Sequence, residues 1–226
     1  MSNSSQIIIF LWIENPRSQR LALAQARLEE SIVSFGLTPL RYNAGPALIP
    51  IGDVLAEARQ QTSGDAFVWC NSDVILTQNP FEVPKPIQVY GFHRREVPTG
   101  QLTLGVDMYY IPVKWWDIYL SKDIPKLYLG ASYVDWWISR AMQKVGAYEN
   151  LTRYIDHVTH PQSEAAGSDA NPYYQKNFRA YNAWAKRNGL APIPAPPFLL
   201  PGIGHVWGLR DALRKIFNRK SINRKR

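Results

Sequence analysis

Residues 65–76 read Asp65-Ala66-Phe67-Val68-Trp69-Cys70-Asn71-Ser72-Asp73-Val74-Ile75-Leu76, and the fold class follows from them. Ala66 to Cys70 is an unbroken apolar run, rich in β-branched and aromatic side chains. Such a run predicts a strand buried on both faces, hence a sheet covered by helices on either side. The run stops at three small polar residues and then becomes apolar again. Open α/β sheets place their ligand chemistry just past the carboxyl ends of central strands, so Asp73 is the first candidate for a functional acid. The same three residue types also suit a plain turn between two strands, and the stretch alone admits both readings.

Upstream, Gln6 to Ile13 (QIIIFLWI) predicts another buried strand, broken by Glu14-Asn15-Pro16. Ser18 can cap a helix that carries Leu21, Ala24, Leu28, Ile32 and Phe35 at helical spacing, and Gly36 ends it. Leu37 to Tyr42 then completes a β-α-β unit, which implies a parallel pair with a right-handed crossover. The Asn15 to Arg20 loop falls at the carboxyl end of the first strand. Arg17 and Arg20 there can meet a phosphate or a nucleobase, or they can simply decorate a solvated helix N-terminus. A second helix is predicted over Asp53 to Gln61.

Downstream, Asn79-Pro80 and Pro84-Lys85-Pro86 mark a loop. Ile87 to Phe92 reads as a short strand, with His93-Arg94-Arg95-Glu96 beyond its end. Leu104 to Val113 reads as a strand with polar Asp107 in its middle, and Trp115 to Leu120 as a short helix. Val134, Ile138, Ala141 and Val145 form an amphipathic stripe. Asp135 lies off that stripe in the first turn, free to face a cleft, although Ser132-x-x-Asp135 also resembles a capping box. Tyr154 to Pro161 is read as a short strand or loop, Gln162 to Asn171 as a polar loop, and Tyr173 to Arg187 as a helix. Ala191 to Gly204 is Pro-rich and predicts an extended arm. Val206 to Asn218 places Val206, Leu209, Leu213, Ile216 and Phe217 on one helix face. The expected organisation is one α/β domain over residues 1–190, then an arm and basic tail over 191–226.

Composition narrows the class of function. The 226 residues suit one large domain, and the net charge is +8. From Arg210 to Arg226 there are eight Lys/Arg and one Asp, so the body carries 18 basic and 17 acidic residues and is nearly neutral. A nucleic-acid-binding body would need a basic face, and nucleic acid is therefore not an expected partner. Cys70 is the single cysteine, which excludes an intrachain disulfide and a thiol metal cluster. The N-terminus lacks the basic region of a signal peptide, and Ile7 to Ile13 is too short to span a bilayer. These features predict a cytoplasmic protein. The tail, with Arg210, Arg214 and Lys215 off its apolar face, suits either an anionic membrane surface or solvent.

Three features carry chemistry: Asp73 at a strand end, Asp135 early in a helix, and His157 and His160 in a His-x-x-His spacing. A carboxylate and an imidazole can hold a divalent cation, with imidazole favouring Mn2+ over Mg2+. A second carboxylate can serve as a general base. Trp136 and Trp137 can stack on a sugar ring or pack in the core.

At these residues the chain resembles the nucleotide-diphosphosugar transferases of the GT-A fold. Asn71-Ser72-Asp73 is similar to that family's Asp-x-Asp motif, with Asn in place of the first Asp. Asp135-Trp136-Trp137-Ile138-Ser139-Arg140 resembles the acceptor-side helix start of inverting N-acetylglucosaminyltransferases of this fold. The resemblance covers about residues 6 to 165. It implies a GT-A-like (Rossmann-like) α/β domain with a mostly parallel central sheet flanked by helices. It implies a hexosyl- or N-acetylhexosaminyl-type transferase that moves a sugar from a nucleotide-diphosphate donor to a hydroxyl of a glycan or lipid-linked acceptor, with Mn2+ or Mg2+. Asp73 and His160, with His157 second, would bind metal, and Asp135 would be the base. Asn15, Arg17, Arg20, Asn43 and Asn71 would contact the donor, and Trp136 and Trp137 the acceptor. The alternative is a non-catalytic nucleotide-sugar or glycan-binding module of the same fold, favoured by the Asn at position 71.

Overall fold

A computed structural model describes residues 7–12, 19–43, 49–129, 133–158 and 172–193. Its strands are β1 (Ile7–Trp12), β2 (Thr38–Asn43), β3 (Ala66–Cys70), β4 (Val74–Leu76), β5 (Val89–Val97), β6 (Leu102–Pro112) and β7 (Tyr148–Val158). Its α-helices are α1 (Gln19–Ser34), α2 (Ile51–Gln61), α3 (Val113–Ile118), α4 (Val134–Lys144) and α5 (Pro172–Arg187). The chain separates into two units at Leu190. Every element above belongs to the first, and of the second only residues 191–193 are described. Among the described residues no helix is long and apolar enough to cross a membrane.

The seven strands form one sheet in the order β2-β1-β3-β6-β5-β7-β4. All five residues of β3 are buried, as an apolar run without polar alternation requires. Ala66, Val68 and Cys70 pack with Leu28, Ile32, Tyr90, Phe92, Met108 and Tyr110 on one face. On the other, Phe67 meets Trp116 edge-on at 6.1 Å and Trp69 stacks on Tyr109 at 5.8 Å. Helix α1 buries Ala24, Leu28 and Ile32, the expected stripe. It ends at Gly36, whose φ of +72° turns the chain out of the helix. Gly36 N–H donates to Val33 O (2.8 Å) and Leu37 N–H to Ile32 O (3.2 Å), which satisfies two otherwise orphaned carbonyls.

The sheet is mixed, which corrects the expected mostly parallel arrangement. The β1–β2, β1–β3 and β5–β7 pairings are parallel, and β3–β6, β5–β6 and β4–β7 are antiparallel. β6 is the second arm of a hairpin with β5, and a hairpin return needs no crossover helix. It enters between β3 and β5 and breaks the parallel run.

Two further elements differ from the sequence reading. β5 does not stop at Phe92 but continues through His93-Arg94-Arg95-Glu96. β7 is an 11-residue strand rather than a short segment near Tyr154. Its outer half is exposed and its period is interrupted, so it carries no clean alternation of polar and apolar residues.

Two irregular ladders shape the region beyond β3. On β6, Asp107 is an extra residue between the Phe92–Met108 and His93–Val106 pairs. On β7, Phe92 faces Leu151 but Arg94 faces Ile155, so β7 bulges by two residues around Arg153, whose φ is +74°. Bulges of this kind bend a strand and re-aim its side chains. β4 begins only four residues after Cys70, yet it pairs with β7 at the far end of the strand order. So few residues span little more than 13 Å, so the sheet must curl back on itself around the turn Asn71–Asp73.

Candidate active site

The curl brings the ends of β3, β5 and β7 and the middle of β6, at Asp107, to that turn. Asp73 and His157 face each other across the β4–β7 ladder, where Val74 pairs with His157 and Val158 N–H donates to Asp73 O (3.0 Å). His157 Nε2 lies 3.2 Å from Asp73 Oδ2, and Nδ1 lies 2.8 Å from Glu96 Oε2. Glu96 sits opposite His157 in the β5–β7 register. Arg94, two residues earlier on the same strand, donates from Nε to Glu96 Oε1 (2.8 Å) and from a terminal nitrogen to Asp107 Oδ2 (2.7 Å). Asn71 Nδ2 donates to Asp107 Oδ1 (2.8 Å), and Asn71 N–H donates to Asp107 O (2.8 Å). Asp107 and His157 are both buried.

Burial and charge compete in this cluster. Burial of Asp107 raises its pKa, and the Arg94 guanidinium opposes that rise only in part. For His157, burial works against the imidazolium, but the Asp73 hydrogen bond and charge, joined by Asp107, outweigh it and raise the pKa above its ordinary value. The Cys70 thiol is pushed up by burial and then by Asp73 and Asp107, which makes it an inert core group.

Asp135 lies in the first turn of α4 and is half-buried. The helix N-cap is Tyr133, at φ +84° and without a side-chain cap bond, so the spacing of a capping box on Ser132 does not apply. The Asp135 carbonyl is held by Tyr109 O–H (2.6 Å) and Ser139 O–H (2.5 Å), and these hydroxyls are 2.9 Å apart. Burial, and then the charge of Asp107, push the Asp135 carboxyl up to about 6, while backbone N–H groups of Trp136 and Asp135 hold it back. A carboxyl with that value is poised to take a proton near neutral pH.

Of the residues singled out in the sequence, the structure brings Asn71, Asp73 and His157 together around the turn, while Asp135 stands on α4, its carboxyl raised in part by the charge of Asp107. Asn71 is turned toward Asp107 by its amide nitrogen. Asn43 ends β2 at the same carboxyl edge, and Arg20 lies in the first turn of α1. Asn15, Arg17 and His160 lie outside the described residues, as do the Gln162 to Asn171 loop, Gly204 and the tail from Val206 onward. Trp136 is 46% exposed beside Asp135, whereas Trp137 is only 1% exposed. The acceptor contact expected of Trp137 is therefore corrected. It points inward one helical position further round, and with Ala141 and Trp184 it lines a cavity of about 220 Å3.

Sequence reading gave no role to Arg94, Glu96 or Asp107. Their signal was a charged run continuing a strand and an acid in the middle of another, both costly in a sheet unless paired. Among the described residues no group of three or more His, Cys, Asp or Glu side chains forms a metal cage.

No protein-family model matches the chain, and no curated protein matches it. Among solved structures, it is similar to a variant of Drosophila β-1,4-galactosyltransferase 7 in complex with manganese, UDP-Gal and xylobiose. The TM-score is 0.50 at 10% identity, covering 76% of this chain and 77% of that one. It is also similar to a glycosyltransferase involved in glycosylating the major capsid of PBCV-1 (TM-score 0.46, 13% identity, 71% and 97% covered). A third is the galactosyltransferase LgtC with donor and acceptor sugar analogs (TM-score 0.39, 8% identity, 84% and 98% covered). The first of these likenesses shows the fold, a GT-A-like mixed α/β domain.

Proposed function

We propose that this protein is a glycosyltransferase that moves a sugar from a nucleotide-diphosphate donor to a hydroxyl of a glycan or lipid-linked acceptor, with Mn2+ or Mg2+ at Asp73 and His157. The observation that carries the reading is the aim of His157. Glu96 holds its Nδ1, and its Nε2 lies 3.2 Å from an Asp73 oxygen. A histidine that binds metal commonly has its other nitrogen held by a carboxylate, a backbone carbonyl or water. Two ligands of one octahedral ion, at bonds of about 2.1 Å, are about 3 Å apart. The donor set thus fits a hard divalent cation that keeps water and diphosphate as its remaining ligands, and His160 is a candidate for a third protein ligand. Such a cation, when bound, supplies charge stabilisation for a diphosphate leaving group.

The chain's own residues perform the rest. Asp135 accepts the proton of the acceptor hydroxyl as that oxygen bonds to the anomeric carbon and the bond from that carbon to the diphosphate breaks, an inverting transfer. The hydroxyls of Tyr109 and Ser139 keep the Asp135 backbone in place. Trp136 offers an exposed ring beside the base for an acceptor sugar. Asn71, Asn43 and the Asn15 to Arg20 stretch are the proposed donor contacts. The tail is proposed to hold a cytoplasmic protein at an anionic membrane surface. An isolated tail peptide that gains no helix in circular dichroism when anionic vesicles are added refutes that part.

The test is incubation with UDP-, GDP- and TDP-sugars and Mn2+. Metal-dependent donor hydrolysis that is lost in Asp73→Ala supports the transferase. Donor binding without turnover across a broad acceptor panel supports the binding module instead.

A further inference from the structure

The side chains around the Asn71–Asp73 turn form a closed circuit. It runs from Asn71 to Asp107 (2.8 Å), to Arg94 (2.7 Å), to Glu96 (2.8 Å), to His157 (2.8 Å), and to Asp73 (3.2 Å), two residues from where it began. The donor-acceptor order of the circuit is fixed by chemistry. Asp107 accepts on both oxygens, so its neighbours must donate. An acid at position 71 would set a second carboxylate within hydrogen-bond distance of a buried one, a like-charge contact that low dielectric makes severe. The backbone is shaped for this arrangement too. Asp107 is the bulged residue of β6, and a Cβ at Gly105 would lie 3.2 Å from Arg94 Cζ and 3.3 Å from a terminal nitrogen, so a side chain there would press on the guanidinium.

We propose that Asp107, acting with Arg94, is a positioning residue for the donor and metal turn. It orients Asn71 from one side, and through Arg94 and Glu96 it sets His157 against Asp73 from the other. The single carboxylate shared between positions 71 and 107 stands at 107. This proposal rests on the reading of the turn as the donor and metal site.

The circuit allows an exchange that separates positioning from bulk stability. In the double variant Asn71→Asp/Asp107→Asn both bonds can re-form, the 71–107 bond with its direction reversed. The amide nitrogen then at 107 donates to the carboxylate then at 71, and the amide oxygen at 107 still accepts from Arg94. The experiment measures Mn2+ binding by loss of the free-ion paramagnetic resonance signal, UDP binding with Mn2+ by calorimetry, and thermal midpoints for wild type, both single variants and the double. Removing a partner of a metal-binding group costs about 10–100-fold in affinity, so each single variant is expected to bind Mn2+ at least about tenfold more weakly, and the double to recover to within about threefold of wild type. A single variant that unfolds is replaced by Arg94→Lys, which keeps the charge but cannot bridge Asp107 and Glu96 and is expected to bind about tenfold more weakly.

Single variants that bind as tightly as wild type overturn the proposal and leave the metal reading standing. A double variant as weak as the singles overturns it too, because restoring the hydrogen bonds of the circuit then does not restore binding. Wild type that takes up neither Mn2+ nor UDP overturns the donor-site reading itself, and the positioning role with it.

Discussion

Replacing Asp135 with Asn is expected to slow transfer severely and to stabilise the fold above pH 6. Burial, and then Asp107, raise the Asp135 carboxyl from 3.8 to about 6, so the folded chain favours its neutral form. Raised in this way, the group contributes stability that is fully present below about pH 4, falls as pH rises, and is gone above about pH 6. At about 1.4 kcal/mol for each pKa unit, keeping it ionised near neutrality costs about 3 kcal/mol. The amide keeps the shape, can accept the same backbone N–H groups, and carries no charge. Urea unfolding of wild type and variant across pH 4 to 8 isolates this term, since Asp107 and His157 are common to both proteins. The two stabilities should coincide near pH 4 and diverge to about 2–3 kcal/mol by pH 7.5, with a thermal midpoint higher by about 5–10 °C. Transfer should fall by about 100-fold or more. A variant no more stable than wild type at pH 7.5, or a difference that does not change with pH, refutes the claim that Asp135 is a desolvated base.

Other outcomes follow from packing. A Cβ at Gly91 would collide with the Tyr148 hydroxyl and lie 3.0 Å from Val106 Cγ1. Gly91→Ala should therefore cost about 1–3 kcal/mol in urea unfolding, with partial recovery in Gly91→Ala/Tyr148→Phe. Asn177 is fully buried and pairs with both backbone groups of Tyr128, at 2.8 Å and 2.9 Å. Asn177→Leu leaves both groups unmet and should cost about 2–4 kcal/mol, read the same way. Trp137→Ala should lower stability by about 3–5 kcal/mol. Trp136→Ala should change stability by less than about 0.5 kcal/mol and raise the KM for acceptor in a transfer assay.

The parts of the fold legible in the sequence are those whose signal is local. β3 is five apolar residues with no polar alternation, and α1 carries its stripe and its terminal glycine. The second half of β5 was hidden because His93-Arg94-Arg95-Glu96 looks like a loop until its charges find Asp107, His157 and Asp156. Arg95 grips Asp156 at 2.7 Å and 2.9 Å across the β5–β7 ladder. β7 was hidden because its pairing with β5 and β4 is a long-range property. At the site, Asp73, Asp135 and His157 were visible as residue types at suggestive places. Arg94, Glu96 and Asp107 were not, since what gives them a role is the bulge and register that set them side by side. The mixed direction of the sheet was likewise invisible, because the β3–β6 contact depends on where a hairpin inserts rather than on its composition.

The bulge in β7 has a consequence of its own. Before it, residues of β5 face β7 partners 59 positions later in the chain, and after it 61 positions later. Continued at the first offset, the ladder would set Glu96 opposite Ile155 and carry His157 past the end of β5. The step of two preserves which face each side chain occupies while sliding His157 back opposite Glu96. The site is thus encoded partly as a length. Deleting two residues near Arg153 would leave every functional side chain in the sequence and dismantle their meeting. Relatives that share this chemistry should keep the spacing from strand to strand more faithfully than the residues inside the bulge.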